Sequence, residues 1–203
     1  MIPRRAKSNA QPAPDTDTKL ARVTAPNLTR DQARARAAII DVAHYAIDLD
    51  LTDGSGAPGE ETFASTTTVR FTATAGASTF IDLVAPELVS ATLNGAPVDV
   101  SGFDESVGLT LNDLAAENEL TVVANCAYSN TGEGLHRFVD PTDNAVYLYS
   151  QFETADAKRM FACFDQPDLK ATYSVTVLAP ADWKVISNGA TVEVADGKHV
   201  FAE

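Results

Sequence analysis

The sequence predicts an all-β domain: an antiparallel, saddle-like β-sandwich with one short N-terminal helix and a disordered N-terminal tail. Three observations carry this expectation. Short runs of alternating apolar and polar residues recur from residue 45 to the end, turn-forming residues separate them, and helix signals concentrate in one stretch near residue 30.

Residues 1–26 are rich in Pro, Ala, Asp and Thr without periodicity, and read as a disordered extension. Residues 27–203 form the expected β-domain. Thr29-Arg30-Asp31-Gln32 is a capping box, in which the threonine hydroxyl accepts from a backbone amide and Gln32 reaches back. A helix from about 30 to 41 follows, with Ile39 and Ile40 as the apolar residues to dock it. In Tyr45 to Leu51 the period changes: apolar side chains fall on odd positions and aspartates on even ones, the mark of a strand with one buried face. Phe63 to Thr74 alternates likewise, and the glycine-rich segment between the two reads as a hairpin loop.

Further strands are expected at Thr79 to Leu83, Leu88 to Leu93, Pro97 to Val100, Gly108 to Leu111 and Glu119 to Tyr128. Asn94-Gly95 predicts a type I′ turn, since both central positions need positive φ. Val146 to Glu153, Ala171 to Leu178, Lys184 to Ser187, Thr191 to Val194 and Lys198 to Phe201 complete the series. The last two read as a hairpin whose final strand stops at an unpaired edge, so the domain is expected to be incomplete at its C-terminal edge. Natural folds usually cover such an edge.

With 28 acidic and 15 basic residues the net charge is -13. Such a surface repels phosphate backbones and anionic lipid, which argues against nucleic-acid and membrane partners and suits a cationic amine. Cys126 and Cys163 are too few for a disulfide scaffold and read as buried thiols of a reducing compartment. The basic start is followed by polar residues rather than an apolar run, so a cytoplasmic location is expected.

His44, His136 and His199 form no His-Glu-x-x-His motif and, with the two cysteines, no recognisable metal spacing. No catalytic residue is assigned. One stretch is chemically unusual. In Tyr147-Leu148-Tyr149-Ser150-Gln151-Phe152-Glu153, odd positions change from aromatic to polar, which on a strand puts Gln151 and Glu153 on one face, about 7 Å apart. A carboxylate beside an amide oxygen suits an ammonium group. The same pattern also fits an ordinary solvated strand end. Beyond it, Thr154 is expected to cap one or two helical turns, and Arg159 and Asp165 to form an ion pair or hold backbone groups of the following turn.

Gln151-Phe152-Glu153, Ala157 to Phe161 and Cys163 to Ala171, together with Gly132 to Phe138 and Trp183 to Gly189, closely resemble the hallmark segments of N-terminal domains in the aminopeptidase N family of zinc metallopeptidases. Gly132 to Pro141 is similar to the actinobacterial form. Members with these motifs are multi-domain zinc exopeptidases, and their N-terminal β-domain covers a thermolysin-like active site. By that resemblance Gln151 and Glu153 are substrate-binding, the glutamate holding the free α-amine of a peptide. Ala162 and Gln166 replace a proline and a glutamate common in the family, an exchange expected to alter the turn and spare the pocket. The zinc motif of the family is absent from these residues. The resemblance therefore implies a chain cut before the catalytic domain, without a cofactor of its own and inactive alone. Zinc is expected in the missing catalytic domain, and the partners are that domain and a peptide N-terminus. A self-standing β-domain that binds peptides or a protein partner without catalysis is the alternative.

Overall fold

The computed structural model describes residues 27–203; the extension expected over residues 1–26 lies outside the described residues. The chain runs through helix α1 (Arg30–Ala37), then β1 (Ile40–Asp50), β2 (Thr62–Ala73), β3 (Thr79–Ile81), β4 (Glu87–Leu93), β5 (Ala96–Pro97), β6 (Leu109–Leu111) and β7 (Glu117–Ala127). It continues with β8 (Gly134–Val139), β9 (Val146–Gln151), a 3-10 turn at Ala157–Arg159, β10 (Thr172–Leu178), β11 (Thr191–Ala195) and β12 (Lys198–Phe201). The expected all-β class with one short helix holds.

The main sheet has eight strands in the order β11-β12-β10-β1-β2-β7-β4-β5, and β3-β6 and β8-β9 form two small sheets. One pairing departs from the antiparallel expectation. β1 runs parallel to β10, with His44 opposite Thr172 and Leu49 opposite Val177. Alternation is strict along β2 and β7. Phe63, Ser65, Thr67, Val69 and Phe71 are buried on one, and Asn118, Leu120, Val122, Ala124 and Cys126 on the other. β1 starts five residues before the expected position. A register shift between Val42 and His44 moves the buried set from Ile40 and Val42 to Tyr45, Ile47 and Leu49. A bulge of this kind breaks a period-2 pattern without ending the strand.

Other elements differ too, and the strand expected at Pro97 to Val100 is the short β5. Lys184 to Ser187 forms no strand, although Trp183 and Val185 still pack against the core. Gly134–Val139, given no strand by the sequence pattern, is β8. The final strand is not at the sheet edge: β12 is paired with β10 on one side and β11 on the other. The Asn94-Gly95 turn forms as expected, with φ of 53° and 80°.

The inner face of the sheet is covered by the small β3-β6 sheet and by the segment after β9. Phe164 meets Phe71 edge-on at 5.3 Å, and Phe161 meets Tyr45 at 6.3 Å. The buried Tyr45 hydroxyl accepts from the Phe164 N–H at 3.0 Å, and burial pushes its pKa far up. Cys126 and Cys163 are free and buried, and burial raises the Cys126 thiol to about 12.

Helix α1 has the capping box read from the sequence: Thr29 Oγ1 accepts from the Gln32 N–H, and Gln32 Oε1 accepts from the Thr29 N–H. It ends at Ala37 rather than near 41, and its docking differs from expectation. Ile40 belongs to β1, and the buried residue of the helix is Arg36. Its Nη1 donates to Asp82 Oδ2 at 2.7 Å and its Nε to Gln166 Oε1 at 3.0 Å. The guanidinium lies between the rings of Phe80 and Phe164, 4.9 and 5.6 Å from their centroids. Gln166 Nε2 also donates to the Ala33 carbonyl at 2.9 Å. A carboxylate at this position could accept from Arg36 but could not donate to the helix, which gives the Gln166 exchange a physical role in docking α1.

Arg36→Met leaves the Asp82 carboxylate buried without its cation, so a loss of about 3–5 kcal/mol is expected in urea denaturation. Adding Asp82→Leu should recover part of that loss. An unchanged midpoint for Arg36→Met would show that Asp82 reaches water unaided.

Candidate functional site

The candidate residues lie where the β8-β9 hairpin ends and the chain turns toward the core. β8 and β9 pair antiparallel, with Gly134 opposite Gln151, His136 opposite Tyr149 and Phe138 opposite Tyr147. Leu135 points inward and is buried, so this face docks the hairpin while the other meets solvent.

β9 stops at Gln151, so Glu153 is not on the strand, and the expected shared strand face does not exist. The two residues are brought together differently. Gln151 Oε1 accepts from the Glu153 backbone N–H at 2.8 Å, a local turn of side chain onto backbone. The amide oxygen is thus engaged, and Gln151 presents mainly its NH₂ group outward. Phe152, between them, turns inward and meets Phe161 edge-on at 6.0 Å. One half-buried ring therefore fixes a loop whose flanking polar residues are both exposed. Among the described residues the Glu153 carboxylate has no hydrogen bond and no cation partner.

The next turn is held by its neighbours. The Asp156 N–H donates to the Phe152 carbonyl at 3.0 Å, and Asp156 Oδ1 accepts from Arg159 Nε at 2.7 Å. Thr154 caps no helix; Asp156 precedes the 3-10 turn and makes no side-chain cap. Arg159 pairs with Asp156, not with Asp165. The stem of Arg159 also lies against Gly134, where an added Cβ would come within 2.8 Å of the arginine Cβ; φ there is +67°. Glycine at 134 meets both constraints, the backbone conformation and the close approach.

Asp165 does hold backbone, as one of the two expected roles had it, accepting from the Lys158 N–H at 3.3 Å. Its own N–H donates to Asp82 Oδ2 at 2.9 Å, and Asp82 exchanges two backbone hydrogen bonds with Cys163. The Lys158 carbonyl accepts from the Val84 N–H at 2.8 Å. Asp82 thereby links the Arg36 guanidinium to the turn behind Glu153. Nothing in the spacing of Arg36, Asp82 and Gln166 along the chain signals this cluster; only the fold assembles it.

The histidines stay apart in function. His44 bonds the hydroxyls of Thr172 and Ser174 at 2.8 and 3.1 Å, His136 stacks on Tyr149, and His199 is buried on β12. Among the described residues no three His, Cys, Asp or Glu side chains are placed to hold a metal ion, so they do not fit a catalytic zinc. Two concavities, about 590 and 320 Å³, lie between β4 and β6 and beside the β1-β2 loop, and neither includes Gln151 or Glu153. Gln151 and Glu153 are themselves exposed at the surface. No helix among the described residues is long and apolar enough to cross a membrane.

Comparison with known proteins bears on this arrangement. Residues 42–201 match the model of the peptidase M1 N-terminal domain. Aminopeptidase N of Streptomyces lividans is 54% identical over 177 residues, 86% of this chain and 20% of that protein. Aminopeptidase N of Bos taurus is 32% identical over 72 residues, 36% of this chain and 8% of its own length. The chain thus spans about a fifth or less of these relatives. Leukotriene A4 hydrolase from Saccharomyces cerevisiae superposes with a TM-score of 0.63 at 16% identity, covering 81% of this chain and 27% of that one. An M1 zinc metallopeptidase from Deinococcus radiodurans gives 0.57 at 21% identity, covering 80% and 38%. At these identities the two structures speak for the fold alone.

Burial is the main reason the Asp165 carboxyl lies above the usual aspartate range, with Asp82 and Asp156 adding to it against the Lys158 N–H and cation. Its folded value exceeds its unfolded one, so this contribution to stability is complete below the ordinary carboxylate range. It fades as pH rises through the raised value. Asp165→Asn keeps an acceptor for Lys158 and removes the titration. Its stability relative to the parent should therefore improve from pH 4 to pH 7 in urea denaturation; a difference independent of pH would contradict the assignment.

Proposed function

The chain belongs to the peptidase M1 family, whose N-terminal domain it carries, and from that premise we propose that it anchors the free N-terminus of a peptide for a zinc-bearing catalytic domain. The observation that carries this reading is the Glu153 carboxylate, exposed and unpaired, on a backbone that Gln151 and the inward-turned Phe152 hold. An α-ammonium group gains a charge-assisted hydrogen bond there, worth about 1.5–3 kcal/mol. The outward NH₂ of Gln151 is a donor for a peptide carbonyl beside that amine, a different role from the acceptor suggested by the sequence.

The chain's own residues bind and orient; none of the described residues is placed to attack a peptide bond. We assign the zinc to a domain beyond these residues, where it would polarise the scissile carbonyl and activate water. Orientation alone can contribute much of a rate enhancement, provided the reacting groups are supplied elsewhere. The acidic surface favours approach of a cationic peptide end. The similarity to aminopeptidase N of Streptomyces lividans and of Bos taurus supports this reading for a whole enzyme of which this chain would be one part.

In an enzyme containing this domain, Glu153→Ala should raise KM for aminoacyl-anilides, lower kcat and reduce kcat/KM by about tenfold to a hundredfold. Unchanged kinetics would sink the role of Glu153. The purified 203-residue chain should show no turnover with zinc added and should regain it when a catalytic domain is supplied. Zinc-dependent turnover by the chain alone would overturn the division of labour.

A further inference from the structure

We propose that Asp165 is a positioning residue for the amine anchor: its carboxylate sets the loop that carries Glu153, and the loop tightens or slackens as that carboxylate gains or loses its charge. This rests on the anchoring reading above. Asp165 Oδ2 accepts from the Lys158 backbone N–H at 3.3 Å. The bond reaches the loop from outside, from the far side of the buried Phe161, and Asp165 is itself fixed there because its N–H donates to Asp82 Oδ2 at 2.9 Å.

The place of the bond gives it leverage. Lys158 is held at both ends of its backbone, its N–H by Asp165 and its carbonyl by the Val84 N–H at 2.8 Å. The Val84 bond secures the chain on the side toward Phe161, whose ring packs edge-on against Tyr45 and Phe152. The Asp165 bond secures the side toward Glu153. At its other end the loop is tied down by the Phe152 ring and by the bond from the Glu153 N–H to Gln151. Residues 153–157 are thus suspended between Phe152 and the Lys158 N–H, with one tie inside the span, from the Asp156 N–H to the Phe152 carbonyl. Weakening the hold at Asp165 frees this span and leaves the aromatic packing behind it in place.

Charge sets the strength of that hold, since an ionised acceptor makes a bond roughly twice as strong as a neutral one. The groups facing Asp165 are of both signs. Lys158 in the 3-10 turn favours its anion, while Asp156 just before the turn and Asp82 just after β3 oppose it. Cys163 on its own segment and Tyr173 on β10 also face it, and Arg36 on α1 reaches it through Asp82. Burial adds to the two acids, so the carboxyl loses its proton above the usual aspartate range. Once ionised it grips the Lys158 N–H more firmly, and a loop already held has less ordering to undergo when a ligand arrives. Binding of an ammonium group at Glu153 therefore strengthens as pH rises through the raised value of Asp165, and by reciprocity a bound ammonium lowers that value.

The test is a pH series on the 203-residue chain, read by backbone amide NMR and by titration with the free peptide Ala-Ala-Ala. In the parent, the Lys158 and Glu153 amide signals should share one step, and the affinity for Ala-Ala-Ala should rise about fivefold across it. Asp165→Asn keeps an acceptor and should remove the shared step together with that part of the rise. Asp165→Ala lacks the acceptor and should bind more weakly than Asp165→Asn throughout; should it misfold, the parent and Asp165→Asn carry the comparison. A Lys158 step that does not reach the Glu153 amide would confine Asp165 to its own turn and overturn the proposal. So would a rise in affinity of equal size in the parent and in Asp165→Asn. If Ala-Ala-Ala binds at no pH, the anchoring reading falls, and the shared amide step, present in the parent and lost in Asp165→Asn, still decides whether Asp165 sets the loop.

Discussion

The ion pair between Arg36 and Asp82 is the constraint on which the rest of this domain depends. It joins three stretches that are far apart in the chain: the helix before the sheet, the end of β3, and the turn at residues 163–166. Burying two charges is costly unless every remaining donor and acceptor has work to do. Here Gln166 takes the second guanidinium donor, and Asp82 takes the Asp165 N–H besides. Two aromatic faces close over the cation, with its Nη2 left without a hydrogen-bond partner. Removing any one member strands the others, which ties helix docking to the shape of the turn.

That turn is also the back of the candidate site. From Asp82 the connections pass to Asp165, to the backbone of Lys158, and through the Arg159–Asp156 pair to the loop that carries Glu153. The exposed acid thus sits on a loop whose rear is bonded into the core at several points, while its front faces solvent. A binding group gains from this arrangement because little ordering is left to be done when a ligand arrives. The side chains that hold this loop are buried or half-buried, and those of Gln151 and Glu153 are exposed.

Legibility in the sequence varies with the physics of each element. β2 and β7 can be read nearly to their ends, since one face of each is buried along its whole length and alternation is unbroken. β1 is readable only from Tyr45, because the bulge between Val42 and His44 reverses which parity is buried. Helix α1 is plain from its cap, but the pattern points to Ile39 and Ile40 for its docking, since nothing local shows that a charged Arg36 has its partner at residue 82. β8 escapes because glycines at 132 and 134 interrupt any alternation at its start; Gly134 lets Arg159 approach, and Gly132 takes a positive φ. Gln151 and Glu153 are neighbours in both readings, but the alternation suggests the wrong geometry. It implies a strand that continues where the chain in fact turns back on a side-chain hydrogen bond.

The parallel pairing of β1 with β10 has a consequence for the life of the chain. His44 and Thr172, partners in this ladder, are separated by most of the domain, and β1 sits at the centre of the main sheet. Parallel ladders bring together residues distant in sequence and must close the intervening loop before any contact rewards it, which makes folding slow. During synthesis one edge of β1 stays without its partner until nearly all the domain has been made. Its apolar side chains meanwhile have only β2 and the strands made after it to shelter them. The order of the strands thus sets a time, late in translation, before which this domain has no finished core.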